Sequence, residues 1–197
     1  MNLVERVKRI LLSPRTEWEV IDTEPTTPAG LYTGYIAPLA AIAPIAQLIG
    51  YSVFGISVPF VGTYRVPFGS AITSAIVTYV MALAMPYLLA LIIDALAPTF
   101  NGQRSQIQAL KVAAYSSTAS WVAGIFALIP GLRVLTILGV YSLFLLYLGL
   151  PVLMKSPKEK AIGYTVVVIL AAIVLSILIG VVSSMFLRVP GAGMTMP

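Results

Sequence analysis

The chain contains no cysteine and no histidine among its 197 residues. The first absence removes disulfides, thiolate metal sites, haem attachment and cysteine nucleophiles. The second removes the commonest general base and metal ligand. Charge is scarce as well: charged residues make up 10% of the composition, against roughly 25% for soluble domains, whereas hydrophobic residues make up 59%. Carboxylates are scarcest, and between Glu24 and Glu159 the only acidic residue is Asp94. No glycine-rich phosphate loop and no run of carboxylates for a divalent metal is present, so neither a cofactor nor a catalytic constellation is expected.

Long apolar runs are what the chain does have. From Ala161 to Leu187 no residue is charged, and about 20 apolar residues suffice for a helix to cross the hydrocarbon core. The fold class expected is all-α, a polytopic bundle of five transmembrane helices near Tyr35 to Phe54, Phe68 to Ala97, Ile107 to Leu128, Leu132 to Met154 and Ile162 to Leu187. A cytoplasmic arm and linker over 1–29, a membrane domain over 30–189 and a disordered tail over 190–197 complete the expected organisation. The Gly/Pro-rich piece Gly55 to Gly69 is too short and broken to span.

Nine basic residues (Arg6, Lys8, Arg9, Arg15, Arg104, Lys111, Lys155, Lys158 and Lys160) fall on one side of these spans. Arg65, Arg133 and Arg188 fall on the other. Cytoplasmic loops carry the excess of Lys and Arg, so the N-terminus is expected in the cytoplasm and the C-terminus outside. The net charge of +5 is spread along the flanks of apolar runs, which fits anionic headgroups and gives no stripe for nucleic acid.

The segment Met1 to Leu12 reads as an amphipathic helix, with Leu3, Val4, Val7, Ile10 and Leu11 inside an arc of roughly 120°. Arg6, Lys8 and Arg9 lie beside or opposite that stripe, and Trp18 on a second short helix suits a membrane interface. These four residues are the candidate interface arm. Two placements are open, on lipid headgroups or packed on the cytoplasmic mouth of the bundle. Thr16 and Glu19 have capping-box spacing, and Glu17, Glu19, Asp22 and Glu24 read as a solvated acidic face.

Within the membrane domain the candidate polar site is Asp94 together with Tyr115, Ser116, Ser117, Thr118 and Ser120. So many hydroxyls on one span call for a helix contact or an aqueous pocket, although a hydroxyl can also bond its own backbone one turn back. Asp94, about 26 residues into its span, is expected near the cytoplasmic interface, paired with Arg104 or Lys111. Pro38, Pro44 and Pro86 each open a helix locally. Small-residue pairs such as Ala46/Gly50 and Ser120/Gly124 allow close helix approach, within one chain or in a homo-oligomer.

Four stretches resemble the Yip family of five-span membrane proteins, in its bacterial branch. They are Leu11-Leu12-Ser13-Pro14-Arg15-Thr16-Glu17-Trp18, Ala113-Ala114-Tyr115-Ser116-Ser117-Thr118, Leu128-Ile129-Pro130-Gly131-Leu132 and Tyr147-Leu148-Gly149-Leu150-Pro151. Ala119 stands where the bacterial pattern usually has proline, and the Asp-Leu-Tyr-Gly-Pro signature of eukaryotic members is absent. The resemblance implies the fold, the topology, a bacterial inner membrane and a membrane-organising or partner-binding role without a reaction. The expected partners are the lipid bilayer and other membrane proteins. A small ion or solute channel or transporter is the alternative, motivated by Asp94, the hydroxyls and the broken spans.

Overall fold

A computed structural model describes residues 2–58, 62–64 and 67–186. The chain begins with two ten-residue helices, α1 (Leu3–Leu12) and α2 (Pro14–Thr23). Asn2 caps α1 by accepting from the Val4 amide, and Pro14 occupies the first turn of α2, where its missing N–H costs nothing. The expected capping box is therefore not used. α2 starts three residues earlier, with Ser13 in the cap position, and the Thr16 hydroxyl donates to the Ser13 carbonyl instead.

Among the described residues, four helical segments are long and apolar enough to cross a membrane: Pro28–Phe54, Phe68–Phe100, Gly131–Leu153 and Lys158–Val181. They match four of the five expected spans to within a few residues at most ends, the first beginning seven residues earlier. The segment expected to be third is helical from Gln106 to Leu128, yet it does not reach the same apolarity. It comprises α7 (Gln106–Ser116), α8 (Thr118–Ala123) and a 3-10 stretch (Gly124–Leu128). Its place explains its composition: every residue from Ala109 to Ser116 is buried. α7 packs against the second apolar segment, against α9 (Tyr141–Leu153) and against the start of the first segment, so little of it faces lipid.

The first apolar segment is interrupted where proline predicts. It runs as α3 (Pro28–Leu31), a π-helical turn (Tyr32–Ile36), α4 (Ala37–Ala40), α5 (Ile42–Ile49) and a second π turn (Gly50–Phe54). Pro44 has no N–H to give the carbonyl four residues back, and α4 ends at that residue, Ala40. Pro86, by contrast, lies buried inside the unbroken α6 (Phe68–Leu96). The last described helix is α10 (Lys158–Phe186). The expected tail and Leu187 lie outside the described residues.

Between the first two segments, Gly55 takes φ 79°, a value open to glycine, and turns the chain into two three-residue strands, β1 (Ile56–Val58) and β2 (Gly62–Tyr64). They pair antiparallel with Ser57 opposite Thr63. Among the described residues these two strands form the sheet, and the other ordered elements are helical.

Two small-residue spacings pack inside the chain. A Cβ on Gly50 would sit 2.7 Å from the Ala127 carbonyl oxygen, and one on Gly124 would sit 2.6 Å from the Ala43 Cβ. The first and third segments therefore touch backbone to backbone, as small residues permit in a membrane.

Candidate functional site

The site is the junction between the two N-terminal helices and α7. α1 and α2 lie on the bundle, with Trp18 fully buried and Arg6 nearly so. Trp18 does not sit at an outer surface. A Cβ on Gly149 of α9 would lie 2.6 Å from the Trp18 ring, so only glycine leaves room for the indole there. Trp18 also meets the Tyr115 ring edge-on, with centroids 6.3 Å apart.

Beside that contact lies a charged knot. Arg6 Nη1 donates to Glu17 Oε1 at 2.5 Å, and Nη2 donates to Glu24. The Arg6 and Glu17 side chains are 7% and 4% exposed, so the acidic stretch is not a wholly solvated face. Glu17 points inward because it shares the Glu17, Trp18, Ile21 stripe of α2. Burial works against the Arg6 charge, but the hydrogen bond to Glu24 and the surrounding negative charge outweigh it and raise its pKa above the usual guanidinium value. Its guanidinium also stands over the Tyr115 ring, 5.7 Å from the centroid.

α7 supplies the cap for α2. Lys111 Nζ donates to the Ile21 carbonyl at 2.9 Å and to the Glu24 carbonyl at 2.7 Å, while Gln108 Nε2 donates to the Asp22 carbonyl at 3.2 Å. These oxygens sit at the C-terminal end of α2, where carbonyls lack helical partners and a cation is favoured. Lys155 pairs with the Asp22 carboxylate, and the Tyr141 hydroxyl donates to the Leu11 carbonyl at 3.1 Å. Trp18, Arg6 and the end of α2 are thus fixed by α7, by α9 and by Lys155 just after α9.

The hydroxyl series divides by partner. Ser116 and Ser117 both donate to the Ala113 carbonyl on their own helix, which makes them local. Thr118 also donates locally, to the Tyr115 carbonyl at 2.7 Å, but it accepts from the Tyr35 hydroxyl of the first segment at 2.7 Å, and Tyr35 in turn packs on Tyr115 with centroids 4.5 Å apart. Ser120 Oγ donates to the Gly139 carbonyl at 3.0 Å and accepts from Ser142 Oγ at 2.9 Å. A cleft of about 180 Å³ opens beside Arg6, Glu24, Thr26, Gly34, Tyr35 and Tyr115.

Asp94 stands apart from this series, near the end of α6. It forms no ion pair among the described residues, and its Oδ1 is buried without a hydrogen-bond partner. The pairing expected with Lys111 does not form because the α2 carbonyls already hold that ammonium. No group of three or more acidic, His or Cys side chains that could hold a metal occurs among the described residues.

Lys8 and Arg9 remain exposed on α1, where Arg9 pairs with Glu5 at 2.5 Å. Residues missed by the sequence reading are Glu17 as a buried partner, Tyr35 and Gly149. Gly149 lies within one stretch that carries the resemblance, Trp18 in a second and Tyr115 in a third, and Trp18 meets both of the others at the arm junction.

The Yip1 domain family's sequence profile matches residues 8–180. The inner membrane protein YohC of Escherichia coli, in strain K12 and in strain O6:H1, is 26% identical over 156 residues, covering 77% of this chain and 80% of that protein. No solved structure matches. The match takes in α2, α7 and almost the whole of the four long apolar segments, and the chain belongs to the Yip1 domain family of integral membrane proteins.

Proposed function

We propose that this protein is a non-catalytic membrane-organising adaptor of the bacterial inner membrane, with α1 presenting a binding face to partner proteins or anionic headgroups. One observation carries the reading: α1 uses both of its faces differently. Arg6 and Ile10 are buried against the bundle, while Val4 and Leu12 are each 71% exposed beside the exposed Lys8. Residues 4, 8 and 12 fall on one helical stripe, and Arg9 lies next to Lys8 on the exposed side of the same helix. An apolar and basic stripe held rigidly at the membrane surface suits headgroups or an acidic, amphipathic partner.

In this reading the chain crosses the bilayer five times, with the arm in the cytoplasm and the C-terminus outside. Nine basic residues against three support that orientation. The 23 residues from Gln106 to Leu128, helical except at Ser117, reach about 35 Å at 1.5 Å each, enough for the third crossing.

The test is a photo-crosslinking side chain placed at Leu12 or at Ile10 in cells, with localisation followed in parallel for Lys8→Glu combined with Leu12→Ser. Leu12 should crosslink to another protein or to lipid and Ile10 only within the chain, and the double variant should lose its localisation while remaining folded. Absence of any intermolecular product from Leu12, with localisation unchanged, would sink the proposal.

A further inference from the structure

The two ends of the bundle differ in how their charges are matched. All seven side-chain carboxylates belong to the arm end: five lie in or just after α1 and α2, Asp94 ends α6, and Glu159 begins α10. Contacts tie those pieces together, since Lys155 reaches Asp22 and the Tyr164 hydroxyl donates to the Ile93 carbonyl at 2.5 Å. At the far end stands Arg133, in the 3-10 helix Pro130–Val140 that opens the segment ending in α9. Its guanidinium stacks on Tyr51, 4.8 Å from the ring centroid. Both Nε and Nη2 are buried without a hydrogen-bond partner, and so is the Oγ of Ser52 next to Tyr51.

Nε and Nη2 together form one side of the guanidinium, the edge that grips an oxyanion with two parallel hydrogen bonds. A buried, unpaired edge of that kind is costly and calls for a partner. No side-chain carboxylate of this chain is available at that end, and a second copy in the same orientation has none there either.

An apolar groove leads away from the same place. It holds about 320 Å³ between the first two apolar segments, lined by Ala41, Ile45 and Leu48 on one side and Ile72, Ala75 and Tyr79 on the other. Residues 41, 45 and 48 share a helical stripe that Tyr51 and Ser52 continue at three- and four-residue spacing. Toward the arm end the Tyr79 hydroxyl donates to the Ala37 carbonyl at 3.2 Å and bridges the two walls. The groove therefore points toward Tyr51, with an apolar body and a cationic head.

We propose that the far end holds one phospholipid of the leaflet opposite the arm, with its phosphate in the Nε and Nη2 fork of Arg133 and one acyl chain in this groove. A small swing of the Tyr51 ring admits the phosphate. The headgroup oxyanion satisfies the charge that the sequence leaves unmatched, and the chain covers the apolar walls.

The experiment is native mass spectrometry of the full chain, purified in detergent and stripped of lipid, then given phosphatidylglycerol, a diacylglycerol with the same chains, or inorganic phosphate. One phosphatidylglycerol should remain bound. Arg133→Gln should weaken its retention on the order of tenfold, as loss of charged hydrogen bonds implies. Arg133→Lys, which keeps the charge and loses the fork, should fall between, and Ala75→Trp, which fills the groove without touching charge, should also weaken retention. Diacylglycerol should bind more weakly than the phospholipid and equally well in wild type and Arg133→Gln, and inorganic phosphate should leave no adduct. Equal phospholipid retention by wild type, Arg133→Lys and Ala75→Trp overturns the proposal, and so does an Arg133-dependent phosphate adduct without phospholipid retention, which would make this a free-anion site. Circular dichroism confirms that each variant is folded, and Ala75→Trp carries the test if Arg133→Gln is not.

Discussion

Helix α10 and the helical segment from Gln106 to Leu128 are opposites in composition and in placement. α10 holds the most apolar window of the chain, with a mean hydropathy of 2.8, yet Ile162, Leu170, Ile173, Ile177 and Leu178 are all exposed on the protein surface. The Gln106 segment carries glutamines, a lysine and a run of hydroxyls, and its residues Ala109 to Ser116 are all buried. In water the relation would run the other way. In a bilayer the solvent is itself apolar, so a fully apolar helix gains little by leaving lipid, whereas polar side chains must find partners inside the protein. Polarity along a membrane helix thus marks the helix that organises the others, and here it marks where the arm is held.

Substitutions that break the polar centre should cost most. Arg6→Ala leaves Glu17 buried and unpaired, and should destabilise the purified protein in micelles by about 3–5 kcal/mol, read from denaturant unfolding. Combining Arg6→Met with Glu17→Leu should recover most of that loss, because no uncompensated charge remains buried. Failure of the double variant to recover would mean that Arg6 acts by more than matching Glu17. Trp18→Ala empties a fully buried site and should cost about 3–5 kcal/mol at the upper end of what a large cavity produces, seen as release of the arm to protease. Gly149→Ala pushes a methyl group into the Trp18 ring and should cost about 1–3 kcal/mol by the same assay. Tyr35→Phe removes one shared hydroxyl bond to Thr118 and should cost about 0.6 kcal/mol, the usual size for such a bond between membrane helices. Smallest is α10: Ile177→Ala should stay within about 0.5 kcal/mol, and a larger loss there would break the contrast between the two helices.

The apolar runs were legible in the sequence because length and lack of charge fix a crossing with no knowledge of the partners. Pro44 likewise located the break after Ala40, since the missing N–H acts on its own helix. What could not be read was which of several partners each polar group takes. Arg6 beside an apolar stripe satisfies headgroups or a buried carboxylate equally well as a pattern, and Trp18 suits an interface or a glycine-lined socket. The difference lies in Glu17, 11 positions from Arg6, and Gly149, 131 positions from Trp18, and spacing says nothing about those distances in space. Asp94 shows the same limit: Lys111 was a plausible partner by position, but the open carbonyls at the end of α2 claim it. Ser116 and Ser117 turned out local and Thr118 and Ser120 shared, a division set by which side of the helix faces Tyr35 and Ser142.

Docking of the arm into the bundle is tested most directly by the fluorescence of Trp18. The chain has two tryptophans, so Trp121→Phe leaves Trp18 as the sole reporter. In vesicles containing brominated lipid, with acrylamide added from the aqueous side, Trp18 should be shielded from both quenchers and should become accessible when Arg6→Ala is introduced. Strong quenching of Trp18 by brominated lipid in the otherwise unaltered protein would place the arm on the bilayer and contradict the account.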